Sequence, residues 1–178
     1  MSRWNKDHQA RAFEEELTAQ LESLLLPNPN HFKRLLEQQI QELRNQRLIV
    51  SKQQSIEKIS DEHNNVDLNL GHSMDEIAPP SALRFDTGAT LGFIVTLRET
   101  QQGANLLSAS FNLLLPAGVG LQFIRIHLEG KIPSDPISKS RSHIHPGFQN
   151  VHVPFPVMDP RTILDRIAFE FVPKFRHK

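Results

Sequence analysis

Apolar residues recur every three or four positions along the first fifty residues. Phe13, Leu17, Leu21, Leu24 and Leu25 fall on one helical face, and Phe32, Leu36, Ile40 and Leu43 restart the stripe after Pro27 and Pro29. Asn28 is suited to cap the second helix and Pro29 to occupy its first position. The pattern predicts two helices joined at a Pro-Asn-Pro turn, a helical arm over residues 1–50. Two helices of this length bury too little surface to stand alone, so they must dock on the rest of the chain or on a partner. Residues 51–81 mix Ser, Gln, Asn and charged side chains and end on Pro79-Pro80. They read as a polar linker.

From Leu83 the period changes to two. Leu91, Phe93, Val95 and Leu97 alternate with Gly92, Ile94, Thr96 and Arg98, the run breaks at 101–105, and Leu107, Ala109, Phe111, Leu113 and Leu115 resume it. That is a β-hairpin with a Gly-containing loop. In a third strand Ile124, Ile126 and Leu128 point one way, and Phe123, Arg125, His127 and Glu129 the other. Asp159-Pro160 opens a helix whose stripe is Ile163, Leu164, Ile167 and Phe171. The expected fold is α+β: an N-terminal helical hairpin arm, then an antiparallel β-meander over 82–178 closed by a C-terminal helix.

Charge and composition narrow the chemistry. Twenty basic residues balance twenty acidic ones, which removes the argument for whole-surface attraction to nucleic acid or an anionic membrane. A local basic patch is still open, so nucleic acid stays among the candidate partners, with a protein bound through the helical arm as the leading one. There is no cysteine, so disulfides, thiolate nucleophiles and Cys-ligated metals are excluded. The charged N-terminal stretch lacks the apolar core of a secretory signal, and no run of apolar residues is long enough to span a bilayer. The expectation is a soluble, cytoplasmic chain that does not enter a membrane.

Nine histidines are present, and His127, His143, His145 and His152 fall close together in sequence. In an extended strand His143 and His145 lie on one side, about 7 Å apart at Cα. Such a pair with a third imidazole from His127 or His152 could ligate Zn²⁺ or another divalent metal. Without metal, two histidines beside Arg141 could act as base and acid on a phosphodiester, the guanidinium stabilising developing charge. The same group could bind an anion. Against all three stands the plain alternative of surface or turn histidines satisfied by backbone and water.

Asp86-Thr87-Gly88-Ala89-Thr90 resembles the catalytic segment of retroviral-type aspartic peptidases. That resemblance implies a homodimer in which two copies of Asp86 share a proton. Arg84 stands where that family has an apolar residue. The stretch Arg141-Ser142-His143-Ile144-His145-Pro146-Gly147, with the later Pro-rich strand and Pro-x-x-x-Leu-Asp helix, is similar to a group of small uncharacterised bacterial proteins. Arg84-Phe85-Asp86 matches an Arg-aromatic-Asp strand of the same group. The resemblance covers about residues 83–171 and implies a nucleic-acid-related role in a defence or toxin–antitoxin module. Its positions are Asp86, Arg141, His143 and His145.

Two functional expectations result. The first is a binding or assembly component whose arm contacts a protein. The second is a histidine-based hydrolase or nuclease with His143 and His145 as acid, base or ligands and Arg141 stabilising charge.

Overall fold

The computed structural model describes residues 25–52, 54–72, 81–116, 118, 120–129, 142–147 and 151–175. The first predicted helix therefore lies outside the described residues, as does Arg141. Leu25, expected to end that helix, instead pairs with Asn105 as Leu25–Leu26 (β1) lies antiparallel to a later strand.

The second helix, Pro29–Asn45 (α1), forms as its sequence dictates. The Asn28 side chain accepts from the His31 N–H at 2.9 Å, and Pro29 fills the first turn, where no N–H is needed. It stops at Asn45, short of the expected end near Val50, because Arg47 adopts a left-handed φ of 61°. The Leu48 and Arg47 N–H groups then turn back to the carbonyls of Leu43 and Arg44, closing the helix end.

Among the described residues nine strands make one antiparallel sheet. Its main path runs through Glu57–Ser60 (β2), Asn65–Leu70 (β3), Thr90–Thr100 (β5), Gly103–Leu114 (β6), Phe123–Glu129 (β7), Ser142–Pro146 (β8) and Val153–Pro154 (β9). Leu83–Arg84 (β4) also pairs with β5, and β1 with β6. The order along this path follows the chain, so the predicted meander is present. The predicted linker is not a plain linker: β2 and β3 lie within residues 51–81, and Val66, Leu68 and Leu70 are buried. Asn65, Asp67 and Asn69 alternate with them, and residues of low strand propensity on the opposite face hide the period-two signal.

One hydrophobic cluster joins alternate residues of the strands with the helices. It contains Phe32, Leu36, Ile40 and Leu43 of α1, the Leu91–Leu97 series of β5, Ala109, Phe111 and Leu113 of β6, and Ile124, Ile126 and Leu128 of β7. The C-terminal helix, Pro160–Arg166 (α2), capped by Asp159 and prolonged by a π-helical turn over Ile167–Phe171, adds Ile163, Leu164 and Ile167. Gln39 ties the helices together: its Nε2 donates to the Arg161 carbonyl at 2.9 Å and to Asp165 Oδ1 at 2.6 Å. The apolar stripe of α1 is therefore consumed by the chain's own core. Of the two outcomes expected for this helix, docking on the rest of the chain or on a partner, its apolar stripe takes the first.

The β5–β6 hairpin closes at Gln101-Gln102, with Thr100 opposite Gly103. Its register steps where Thr96 faces Ser108 and Leu97 faces Leu106, leaving Leu107 as the extra residue of a bulge. Leu106, not Leu107, is thus the buried residue there. Beyond the bulge the alternation sends one set of side chains to the helices and the other to the opposite, polar face.

Candidate metal centre

Register decides what the polar face carries. Residues directly opposite on antiparallel strands point to the same side. His127 faces His143, and Arg125 faces His145, across β7 and β8. Between them Ile126 faces Ile144, and both turn toward the core. One row across the sheet is therefore Asn112–Arg125–His145, and the next is Ser110–His127–His143. The Ser-His-Ile-His sequence contributes both imidazoles to one side because β8 is extended, as the spacing predicts.

The rings meet. Their centroids are 5.3 Å apart for His127–His143, 5.2 Å for His127–His145 and 4.7 Å for His143–His145. One nitrogen from each of the three can be chosen so that all lie within 4.8 Å of one another. A tetrahedral zinc site with Zn–N bonds of about 2.0–2.1 Å separates its nitrogens by roughly 3.4 Å. Small ring movements thus bring the trio to bonding distance. His143 and His145 are only 2% and 8% exposed, so water does not compete freely for their nitrogens.

His152 stands beside the trio on the chain leading into β9. Its ring centroid is 4.3 Å from that of His145 and 4.8 Å from that of His143. Its Nδ1 is buried and has no hydrogen-bond partner among the described residues. A buried imidazole nitrogen left unsatisfied is costly and commonly marks an ion or water. β9 is held against β8 by the Phe155 N–H, which donates to the Ser142 carbonyl at 2.9 Å.

The electrostatics suit a cation bound by neutral ligands. The His127 imidazole is pushed down to about 3, first by burial and then by repulsion from His143, His145, Arg125 and His72. It is neutral at physiological pH, with a lone pair to offer. No Asp or Glu belongs to the three-residue group.

Two members of this face were not legible in the sequence as site residues. Arg125 alternates with His127 and so was visible on its face, but nothing in the sequence gave it a role; its Nε donates to Asn112 Oδ1 at 2.7 Å. His72 arrives from a distant segment. Gly92 points toward the polar face, and a Cβ there would sit 2.0 Å from the Gly71 carbonyl oxygen. Its missing side chain lets the turn after β3, with Gly71 at φ 56°, lie against the sheet. That placement brings His72 Nε2 to 3.3 Å from Ser110 Oγ. Burial and the nearby Arg125 both lower the His72 pKa.

Asp86 is elsewhere. It is exposed in the turn between β4 and β5, where its N–H donates to the Leu48 carbonyl at 3.0 Å and the Gly88 N–H donates to the Phe85 carbonyl. It is not one of the three residues of the histidine group.

Comparison of the chain with protein-family models, with curated proteins and with solved structures gives no match. Among the described residues no helix is long and apolar enough to cross a membrane.

Proposed function

We propose that this protein holds a divalent metal ion, with zinc the best fit, on His127, His143 and His145 and uses it for hydrolysis. The single observation behind this reading is the convergence of three imidazole nitrogens within 4.8 Å on one sheet face. Three neutral nitrogen ligands leave the +2 charge intact and a coordination position open, which is the catalytic pattern for zinc rather than the closed structural one. When bound there, the ion would supply an activated water by lowering its pKa toward neutrality. The water oxygen then forms the new bond to the electrophilic atom of an ester, the ester oxygen's bond breaks, and the leaving oxygen takes up a proton. His152 accepts the proton from water and returns one to the leaving group.

Of the two roles suggested by the sequence, burial of the α1 stripe weighs against partner binding through residues 29–45. Clustering of the histidines weighs toward chemistry.

The test is metal stoichiometry on chelator-stripped protein, with hydrolysis of p-nitrophenyl acetate as a report on the activated water. The expected result is one equivalent of zinc and zinc-dependent ester cleavage, both lost in the His143→Ala, His145→Ala double variant. His152→Ala should keep the metal and lose most of the rate. Folded wild-type protein that takes up no divalent ion would overturn the reading.

A further inference from the structure

The polar face holds more than the ligands, and the surplus has a definite chemistry. Arg125 is half-buried next to His145, and its Nε is engaged by Asn112. That bond fixes the plane of the guanidinium and leaves its two terminal amino groups for a second partner. Among the described residues no carboxylate forms an ion pair with Arg125. A half-buried cation opposite His145 and one row from His127 and His143 raises the local potential. Adding a divalent ion makes the face more positive still. The Phe123 ring, with its centroid 5.9 Å from the Arg125 guanidinium carbon, offsets part of this charge, and an anion would balance the rest.

The donors around Arg125 indicate which anion. Asn112 uses its oxygen to accept from Arg125, so its amide NH₂ is a donor. Ser110, one row along and opposite His127, adds a hydroxyl. His72 lies against that hydroxyl. A planar monoanionic carboxylate would satisfy the arginine and little else. A phosphoryl group carries close to two negative charges and three terminal oxygens, enough to meet the metal, the guanidinium and the flanking donors together.

We infer that the substrate of the metal centre is a phosphate ester, whose phosphoryl oxygens bridge the metal ion and Arg125, with Asn112 and Ser110 at the flank. This rests on the metal reading above and assigns that site its substrate class. In the reaction a water oxygen forms a bond to phosphorus, and the bond from phosphorus to the ester oxygen breaks. One water proton ends on the alcohol product, and the other remains with the phosphate. The guanidinium holds charge on the non-bridging oxygens as the new bond forms.

The experiment measures binding of inorganic phosphate to zinc-loaded protein by calorimetry, with zinc occupancy read on the same samples. Wild type should bind phosphate at least tenfold more tightly than acetate. Arg125→Gln should keep its zinc and bind phosphate about ten- to hundred-fold more weakly, the usual cost of losing a charge-assisted hydrogen bond. Arg125→Lys should recover part of the loss by charge alone. Asn112→Ala, which keeps the Arg125 charge and removes only the acceptor that fixes its plane, should lose less than Arg125→Gln. Zinc-loaded wild type and Arg125→Gln binding phosphate equally, or acetate binding as tightly as phosphate, would overturn the phosphoryl assignment while leaving the metal reading standing. Wild type that binds no zinc overturns both, and the occupancy measurement tells the two failures apart.

Discussion

The two faces of this sheet are built from the same strands, and often from adjacent residues, yet they obey different rules. On the helix side Phe93 and Phe111 are fully buried, with ring centroids 5.6 Å apart. What matters there is volume and shape, since a gap or an extra methylene is felt directly. On the other side, Asn112, Arg125, His127 and Ser110 lie one residue away along β6 and β7. What matters there is which polar groups meet and what charge they leave unbalanced. The comparison teaches that period-two alternation, usually read only for which face is buried, also distributes the chemistry.

Substitutions can break that division from either side. The largest effect belongs to the helix side: Phe111→Ala should cost about 3–5 kcal/mol in urea unfolding, through lost burial and the cavity left behind. Zinc binding in the surviving folded fraction should persist, because Phe111 faces away from the histidines. On the polar face the histidines should contribute stability mainly through their ligand. Zinc at a hundredfold excess over its dissociation constant should add about 2.7 kcal/mol to wild type and nothing to the His143→Ala, His145→Ala double variant. Differential scanning calorimetry with and without zinc reads both values. A double variant as destabilised as Phe111→Ala in the metal-free state would blur the contrast between the faces.

A smaller effect comes from protonation. In metal-free protein the folded-state pKa of His127 is depressed to about 3, against an ordinary 6.5. Between these values the unfolded chain binds the proton and the folded one does not, so stability falls as the pH drops. At pH 5.5 the loss from His127 should be on the order of 1–2 kcal/mol, and His127→Gln should flatten this part of the profile. In the folded protein a proton competes with metal at His127 only as the pH approaches about 3, so His127 itself should not weaken zinc affinity at pH 5.5. The smallest expected change lies outside both faces, at the helix cap. Asn28→Ala should cost about 1 kcal/mol in thermal unfolding and leave zinc stoichiometry unchanged.

The candidate site was partly legible. His143 and His145 announced themselves because a His-x-His pair in a strand must share a side. His127 was assigned a strand and a face correctly, but its position opposite His143 follows from strand pairing that no local pattern encodes. His72 was invisible as a site residue, since only the close approach at Gly92 brings its segment to Ser110. Asp86 shows how little a short motif says about place: the segment forms the exposed turn between β4 and β5.

The sequence by itself determined the α+β character of the chain, the Asn28-Pro29 and Asp159-Pro160 helix starts, and the alternation of β5 to β7. Each depends on near neighbours in sequence: a side chain reaching a backbone N–H within one helical turn, or the two-residue repeat of a strand. Tertiary structure alone decided that residues 57–60 and 65–70 join the sheet, that α1 spends its stripe on the core, and that Arg125 stands next to the histidines. Those outcomes depend on which strand pairs with which and in what register, and register is set by burying one whole face at once.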